Sequence, residues 1–354
     1  MNNIVQTELR QLADGKIFPE AQFKDIEGAI KFLAEQEKIK NCDLKSPVYT
    51  THMKAIMGKT DKQVIVLDEN PLSVILEQHH ASEQELQQLC ICLQNRGINA
   101  EQILSLLNIE MGNLIETPKI NISRDIIYDI ASEKKFKSHI VRLFLSEYIK
   151  RTDKGFDYTF NNSNKFESHK KYIILDATTP VEIYKRLFGD RLKLVEIIDT
   201  KIQGIINQNL KLSYSKTACK KYGFKNDDDS QLVLTFKEYS KEKDYFFSLV
   251  GTNKYEGKDI TIIGTPNLPP SYYQFLSKNL NLSVDNFIPQ NQQVYFNGRE
   301  FTYYTYSHPV LQEIHLGMIE GELLQGVHRA RPTRYHVTVT VFSNFPLLQA
   351  NYSY

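Results

Sequence analysis

The four cysteines, Cys42, Cys90, Cys92 and Cys219, contain no C-x-x-C pair. Zinc and iron–sulfur ligand sets normally show that spacing, so a thiolate-built metal centre is excluded. Cys90 and Cys92 lie in an apolar helical run and read as core or half-exposed thiols, and a reducing compartment, taken as the cytoplasm, is expected. No uninterrupted apolar run approaches the roughly 20 residues of a membrane span. The N-terminal stretch carries Glu8, Arg10, Asp14, Glu20 and Asp25 with no apolar core, so no secretory signal is visible. An excess of one charge is missing as well: the formal net charge is only +1, so contact with a polyanion has to come from a local patch. Internal repeats and low-complexity tracts are absent.

What is present is globular. With 354 residues, 41% hydrophobic and 24% charged, the chain has room for two domains with their own cores. Phe23, Ile26, Ile30 and Leu33 predict an amphipathic helix over residues 21–39. Val48 to Thr51 predicts a short strand ending at His52. Val64 to Leu67, apolar on both faces, predicts a central strand of a covered parallel sheet. From Ser82 to about Lys150 the pattern is helical. It opens with a capping box of Ser82 and Glu85, continues through Ile103 to Leu107, and ends in a third helix over 126–149. Residues 152–171, with Asn161-Asn162-Ser163-Asn164, read as a polar linker. Strands are then predicted at 172–175, 195–198, 232–236, 260–263 and 335–342, with helices at 181–188, 272–280 and 310–327. That alternation argues for a mostly parallel sheet.

Four segments can carry chemistry. In Val64-Ile65-Val66-Leu67-Asp68-Glu69-Asn70 an apolar strand delivers two carboxylates at its carboxyl end, the place where open α/β sheets hold ligands. Such a pair can hold magnesium and position an attacking water; a plain turn is the competing reading. Ile173-Ile174-Leu175-Asp176-Ala177-Thr178-Thr179-Pro180 ends a second apolar strand in small and hydroxyl residues. There Thr hydroxyls can relay a hydrogen bond between two sites, or Thr179 simply caps a helix that begins at Pro180. Gly251-Thr252-Asn253-Lys254-Tyr255-Glu256-Gly257-Lys258-Asp259 offers close backbone approach to phosphate, or an ordinary turn. Gln325-Gly326-Val327-His328-Arg329-Ala330-Arg331-Pro332 is the most specific. Gln325 and Arg329 share a helix face with His328 beside them. Pro332 disfavours helix at Arg331, so the helix should end near Ala330 with Arg331 projecting from the turn. Two guanidiniums so placed can grip phosphates; a solvated basic helix end is the alternative. Lys134, Lys135, Lys137, His139, Arg142, Lys150 and Arg151 make one helix locally basic, as a solvated face or as a strand-binding one.

In this order the segments resemble the superfamily-2 helicases, specifically the divergent primase-linked helicases of phages, plasmids and other mobile elements. Thr50-Thr51-His52 is similar to the segment that precedes the acidic motif, and Asp68-Glu69 to the acidic motif itself. Leu175-Asp176-Ala177-Thr178 resembles the Ser-Ala-Thr motif, and 251–259 the motif that meets both nucleotide and strand. Residues 325–331 resemble the arginine-finger motif, although Arg331 falls one position short of the family's usual spacing. The resemblance implies ATP and Mg2+ as cofactors, Asp68 on the metal, and Glu69, Gln325, Arg329 and Arg331 in catalysis. It implies Gly251, Asn253, Asp259 and His328 on the nucleotide, and a nucleic acid, DNA in the first instance, as partner.

The phosphate-cradling loop of that family is missing from the pattern. Gly58-Lys59-Thr60 has the right ending, but Met53 stands where its leading glycine belongs. Only Asp61, Lys62 and Gln63 separate it from the acidic strand, leaving no room for the helix whose N-terminal amides receive phosphate. The expected fold is therefore α/β: a truncated first RecA-like lobe (1–75), a helical insertion (76–151), a linker (152–171) and a complete second RecA-like lobe (172–354). The expected function is a helicase-type ATPase portion that is inactive alone and for which a second chain would supply the loop. The alternative is a non-enzymatic nucleic-acid-binding or interaction module that keeps the second lobe's fold.

Overall fold

The structure is a computed structural model that describes residues 50–353 apart from 59, 120–121, 124, 127–128, 131–137, 197–200, 223–231, 241–243 and 250–252. The helix expected over 21–39 lies outside the described residues. The chain divides into two compact units, Met1–Ile174 and Leu175–Tyr354. Among the described residues, no helix is long and apolar enough to cross a membrane.

The first unit runs through α1 (His52–Met57), β1 (Val64–Asp68), α2 (Leu72–Ile75), β2 (Leu76–Ala81), α3 (Glu83–Gln94), α4 (Glu101–Leu104), β3 (Leu114–Glu116), α5 (Ser138–Val141), β4 (Tyr148–Thr152), β5 (Gly155–Asn161) and β6 (Lys171–Leu175). β1 pairs with β6, and β2, β5, β4 and β3 form an antiparallel sheet in that order. α3 starts as its sequence predicts, with Ser82 accepting from the Glu85 N–H while the Glu85 carboxylate accepts from Ser82. Its stripe of Leu86, Leu89, Cys90 and Leu93 is buried with Ile149, Phe156, Tyr158 and Phe160 of the sheet.

Several expectations fail in this unit, the first being the helical insertion: the strands β2 and β3 and most of β4 lie within 76–151. Thr51 does not end a strand; it caps α1, its hydroxyl accepting from the Lys54 N–H. Residues 148–161, read as the end of a helix and the start of a polar linker, form the β4–β5 hairpin. Its polar residues are consumed by cross-strand and inter-element pairing, which a composition count cannot see. Gly155 sits at φ 137°, and a Cβ there would lie 2.2 Å from the Ala81 carbonyl oxygen, so only glycine lets β5 pass that close to the end of β2. Finally, β1 is not covered on both faces: Ile65 and Leu67 are buried whereas Val64 and Val66 are more than half exposed. The strand is half-buried, and β-branched valine suits its outer face as well as a covered one, so composition did not distinguish the two.

The second unit contains α6 (Val181–Phe188), β7 (Ile205–Asn209), α7 (Lys216–Tyr222), β8 (Leu232–Leu234), β9 (Ile260–Ile263), α8 (Pro270–Asn279), β10 (Gln290–Phe296), β11 (Arg299–Thr305), α9 (Pro309–His328), β12 (Thr338–Phe342) and β13 (Asn351–Ser353). Five strands form a parallel sheet in the order β13-β7-β12-β9-β8. Val339 and Val341 of the central strand are buried with Ile260, Ile262 and Leu234, and with Leu316, Ile319, Leu323 and Val327 of α9. Tightest of these contacts is Gly326, where a Cβ would lie 2.9 Å from a Leu234 methyl. The parallel, helix-covered sheet agrees with the α/β class read from the alternation. β7 and the β10–β11 hairpin escaped that reading, and Val195 belongs to no strand, with 197–198 outside the described residues.

Candidate functional site

The acidic segment is delivered as its pattern suggests. β1 ends at Asp68, whose side chain is exposed, and the next residue, Glu69, takes a left-handed backbone with φ 66°. That region is uncommon for a residue with a Cβ, so the chain turns sharply at the carboxylate pair. Asn70 stabilises the turn, its side-chain oxygen accepting from the Leu72 N–H at 2.7 Å. His52 closes it from the other side, with Nε2 2.5 Å from the Asp68 carbonyl oxygen. The Thr-Thr-His segment and the acidic segment are thus joined by a hydrogen bond.

Gly58 lies at the carboxyl end of α1, where its N–H donates to the Lys54 carbonyl at 3.0 Å, and no helix follows before β1. A helix presents its partial negative charge at that end. The Gly58-Lys59-Thr60 segment therefore has the wrong polarity to cradle phosphate, as its sequence context implies; Lys59 itself lies outside the described residues.

At the start of the second unit, Asp176 organises a turn. Its carboxylate accepts from the Thr178 N–H (2.8 Å) and hydroxyl (3.0 Å), from the Thr179 N–H (3.2 Å), and from the Tyr184 hydroxyl (2.6 Å). Burial alone would raise its pKa, but the hydrogen bonds from Thr179, Tyr184 and the backbone win and hold it below the ordinary carboxylate range. α6 begins at Val181 with Pro180 in the capping position. The cap read at Thr179 is displaced by one residue to Pro180, and no side chain caps the helix; the Asp176 carboxylate instead holds the turn before it through the Thr178 and Thr179 amides.

The C-terminal end of α9 gathers two of the sequence segments. α9 ends at His328, with Val327 and Ala330 buried. Arg331 then turns left-handed at φ 55°, its N–H donating to the His328 carbonyl at 3.1 Å. Its guanidinium does not project freely as expected. It donates to the Asn253 side-chain oxygen at 3.1 Å and forms an ion pair with Glu256 at 3.0 Å. The Tyr335 hydroxyl donates to the same Glu256 carboxylate at 2.9 Å. Backbone bonds extend the seam: the Gly257 N–H donates to the Ala330 carbonyl at 3.1 Å, and Asp259 accepts from the Thr338 N–H at 2.6 Å. Asn253, Asp259 and Arg331 are thereby brought into one place. Gly251 lies outside the described residues.

Gln325 and Arg329 are half-buried one helical turn apart on α9. His328 is turned toward Gln349; burial lowers its pKa and that hydrogen bond offsets part of the shift. On the same helix, burial pushes the Glu322 carboxyl up to about 6, opposed by a hydrogen bond from the Phe247 N–H and by the Arg329 charge. Glu256, Tyr335 and Glu322 carried no sequence signal, because their partners are distant in the chain.

Three residues of the basic stretch, His139, Arg142 and Arg151, are engaged within the first unit. Lys134, Lys135 and Lys137 lie outside the described residues. The His139 ring stacks on His79 at 4.6 Å and its Nδ1 lies 2.6 Å from the Tyr158 hydroxyl. Arg142 pairs at 3.4 Å with Glu77, which also bonds His79 at 2.9 Å and Asn162 at 2.7 Å. Arg151 binds the Glu83 carboxylate and the Leu107 carbonyl. These side chains tie the antiparallel sheet to its helices.

Among the described residues, no cluster of three or more His, Cys, Asp or Glu side chains is arranged to hold a metal ion. Magnesium asks for less, since it keeps most of its waters and takes one or two carboxylates with the substrate's phosphates. The exposed, hard-oxygen Asp68 fits that sparse mode.

No family model matches the chain, and no curated protein matches it by sequence. A solved structure titled XPD helicase is similar to it in fold, with a TM-score of 0.51 and 14% identity over 94% of this chain and 79% of that one. The fold is therefore helicase-like.

Proposed function

We propose that the chain is a helicase-like, nucleic-acid-dependent ATPase portion, of the divergent primase-linked lineage that its motif order resembles. Asp68 holds magnesium and Glu69 orients the attacking water. Gln325, His328 and Arg329 address the nucleotide, and Gly251, Asn253 and Asp259 meet nucleotide and strand. Magnesium, when bound, supplies the charge that neutralises the transferring phosphoryl group. The observation that carries this reading is the seam between 253–259 and the end of α9. Two segments far apart in sequence, each matching a neighbouring helicase motif, are hydrogen-bonded to one another through Arg331, Asn253 and Glu256.

The polarity of the Gly58 segment gives the reading its second half: Gly58-Lys59-Thr60, at the carboxyl end of α1, does not supply the phosphate loop. Purified alone, the protein is expected to bind single-stranded DNA but to show no DNA-stimulated ATP hydrolysis. Robust turnover by the purified chain would overturn this half of the reading.

The engagement of Arg331 by Glu256 favours one competitor, a nucleic-acid-binding module without nucleotide chemistry. Filter binding at graded salt separates the two. For the motor, DNA affinity changes with ATP and magnesium, and Asp68→Ala or Arg329→Ala abolishes that response. DNA binding indifferent to ATP and to both substitutions would leave the module as the function.

A further inference from the structure

Residues Tyr245 to Ser248 form a tight turn, closed by the Ser248 N–H donating to the Tyr245 carbonyl at 2.9 Å. Phe247 occupies its third position with φ 66°. Turns of this hand place glycine or asparagine there, because a Cβ is disfavoured in the left-handed region. A bulky aromatic residue at that φ is an outlier, and such outliers persist where the surroundings over-determine them and cluster at functional sites.

The surroundings do over-determine it. Phe246 is buried on Phe236, with ring centroids 5.3 Å apart, and its N–H donates to the Thr235 carbonyl at 3.1 Å. Leu249 is buried on the far side, and the Glu322 carboxylate of α9 accepts from the Phe247 N–H. Held from both flanks and beneath, the turn sends the Phe247 ring outward, 48% exposed. The adjoining surface is not apolar. Tyr245 is half-buried beside it, and the exposed Lys237 places its ammonium 5.6 Å from the Tyr245 ring centroid. An exposed ring two residues from a tyrosine with an ammonium beside it supplies the two elements sequence-tolerant single-strand binding combines: a π face for a base and a cation for a phosphate.

We propose that Phe247 is a base-stacking contact for single-stranded DNA, with Lys237 the adjacent phosphate contact. The inference rests on the nucleic-acid half of the reading above and extends it to a place that none of the sequence motifs covers.

Fluorescence anisotropy with a dye-labelled oligothymidylate, titrated with the full chain at several salt concentrations, tests it. Phe247→Gly removes the ring and relaxes the backbone, so it keeps or raises the melting temperature. Its affinity is expected to fall roughly 5- to 150-fold, the range of one lost base stack. The slope of log affinity against log salt stays as in the unsubstituted chain, because no phosphate contact is lost. Phe247→Tyr keeps a stacking face and is expected to bind within about twofold of the unsubstituted chain. Lys237→Gln is expected to reduce the salt slope by roughly one phosphate contact. Equal affinities for Phe247→Gly and the unsubstituted chain overturn the stacking contact alone, as does a loss in Phe247→Tyr as large as that in Phe247→Gly. Failure of the unsubstituted chain to bind the oligonucleotide at low salt overturns the nucleic-acid reading itself.

Discussion

β1 and β6 are paired apolar strands of five residues, one ending in Asp68 and the other followed directly by Asp176. The first carboxylate is left exposed, on a sharp turn whose strain falls on Glu69. The second is folded into its own connection, accepting from two backbone amides and two hydroxyls while it caps the approach to α6. A carboxylate whose acceptor capacity is spent within the protein is structural. One that is exposed has capacity left for a ligand, so the contrast supports Asp68 rather than Asp176 for the magnesium contact that the motif resemblance suggests and that is proposed above.

The largest effect expected from this contrast is on stability. Asp176→Ala leaves the Tyr184 hydroxyl and two turn amides without their acceptor, and a loss of roughly 2–4 kcal/mol in denaturant unfolding is expected. A loss below about 0.5 kcal/mol, the usual size for a surface change, would place Asp176 in the same class as Asp68.

A buried carboxylate that lacks such compensation sharpens the comparison through pH. Burial raises Glu320 to about 7, with only the Asn297 amide donating in opposition. The sign is opposite to that of Asp176. A raised folded-state pKa gives stability that is present below the ordinary value of 4.5 and is lost as pH rises through about 7. The depressed Asp176 gives stability that is present above its ordinary 3.8 and is lost as pH falls through its folded value. Glu320→Gln keeps an acceptor for Asn297 and is expected to flatten the decline in melting temperature between pH 5 and 8. An unchanged pH profile would remove Glu320 from the account.

The smallest effect concerns the strained neighbour. Glu69→Gly relieves the left-handed backbone, worth about 1–2 kcal/mol, against the added chain entropy of glycine. A net gain of about 0.5–1 kcal/mol in unfolding free energy is expected. Destabilisation instead would mean that the Glu69 side chain supports the fold more than its backbone burdens it.

The second unit was the more legible in sequence. β9 and α6 fall on the residues their patterns indicate, because buried parallel strands and amphipathic helices carry their burial in local hydrophobicity. The β4–β5 hairpin was not legible: Lys150 and Arg151 look like the basic end of a helix, and Asp157 like a linker residue, until their strand pairing is known. The β10–β11 hairpin hid similarly, since its outer face is Asn291, Gln293, Tyr295, Glu300, Thr302 and Tyr304. At the candidate site the strand-end position of Asp68 and the end of α9 could be read. The grip of Glu256 on Arg331 could not, because a long-range ion pair has no local periodicity.

Gly321 has a further consequence. A Cβ there would lie 2.0 Å from the Thr178 carbonyl oxygen, so α9 rests directly on the connection that Asp176 organises. From that bearing point the helix runs on for about 10–12 Å, at 1.5 Å per residue, to Arg329. Beyond Gly321, Leu323 and Val327 are buried with the sheet, and Gly326 lies close against Leu234, so the helix has two supports, the connection and the sheet, before it reaches Arg329.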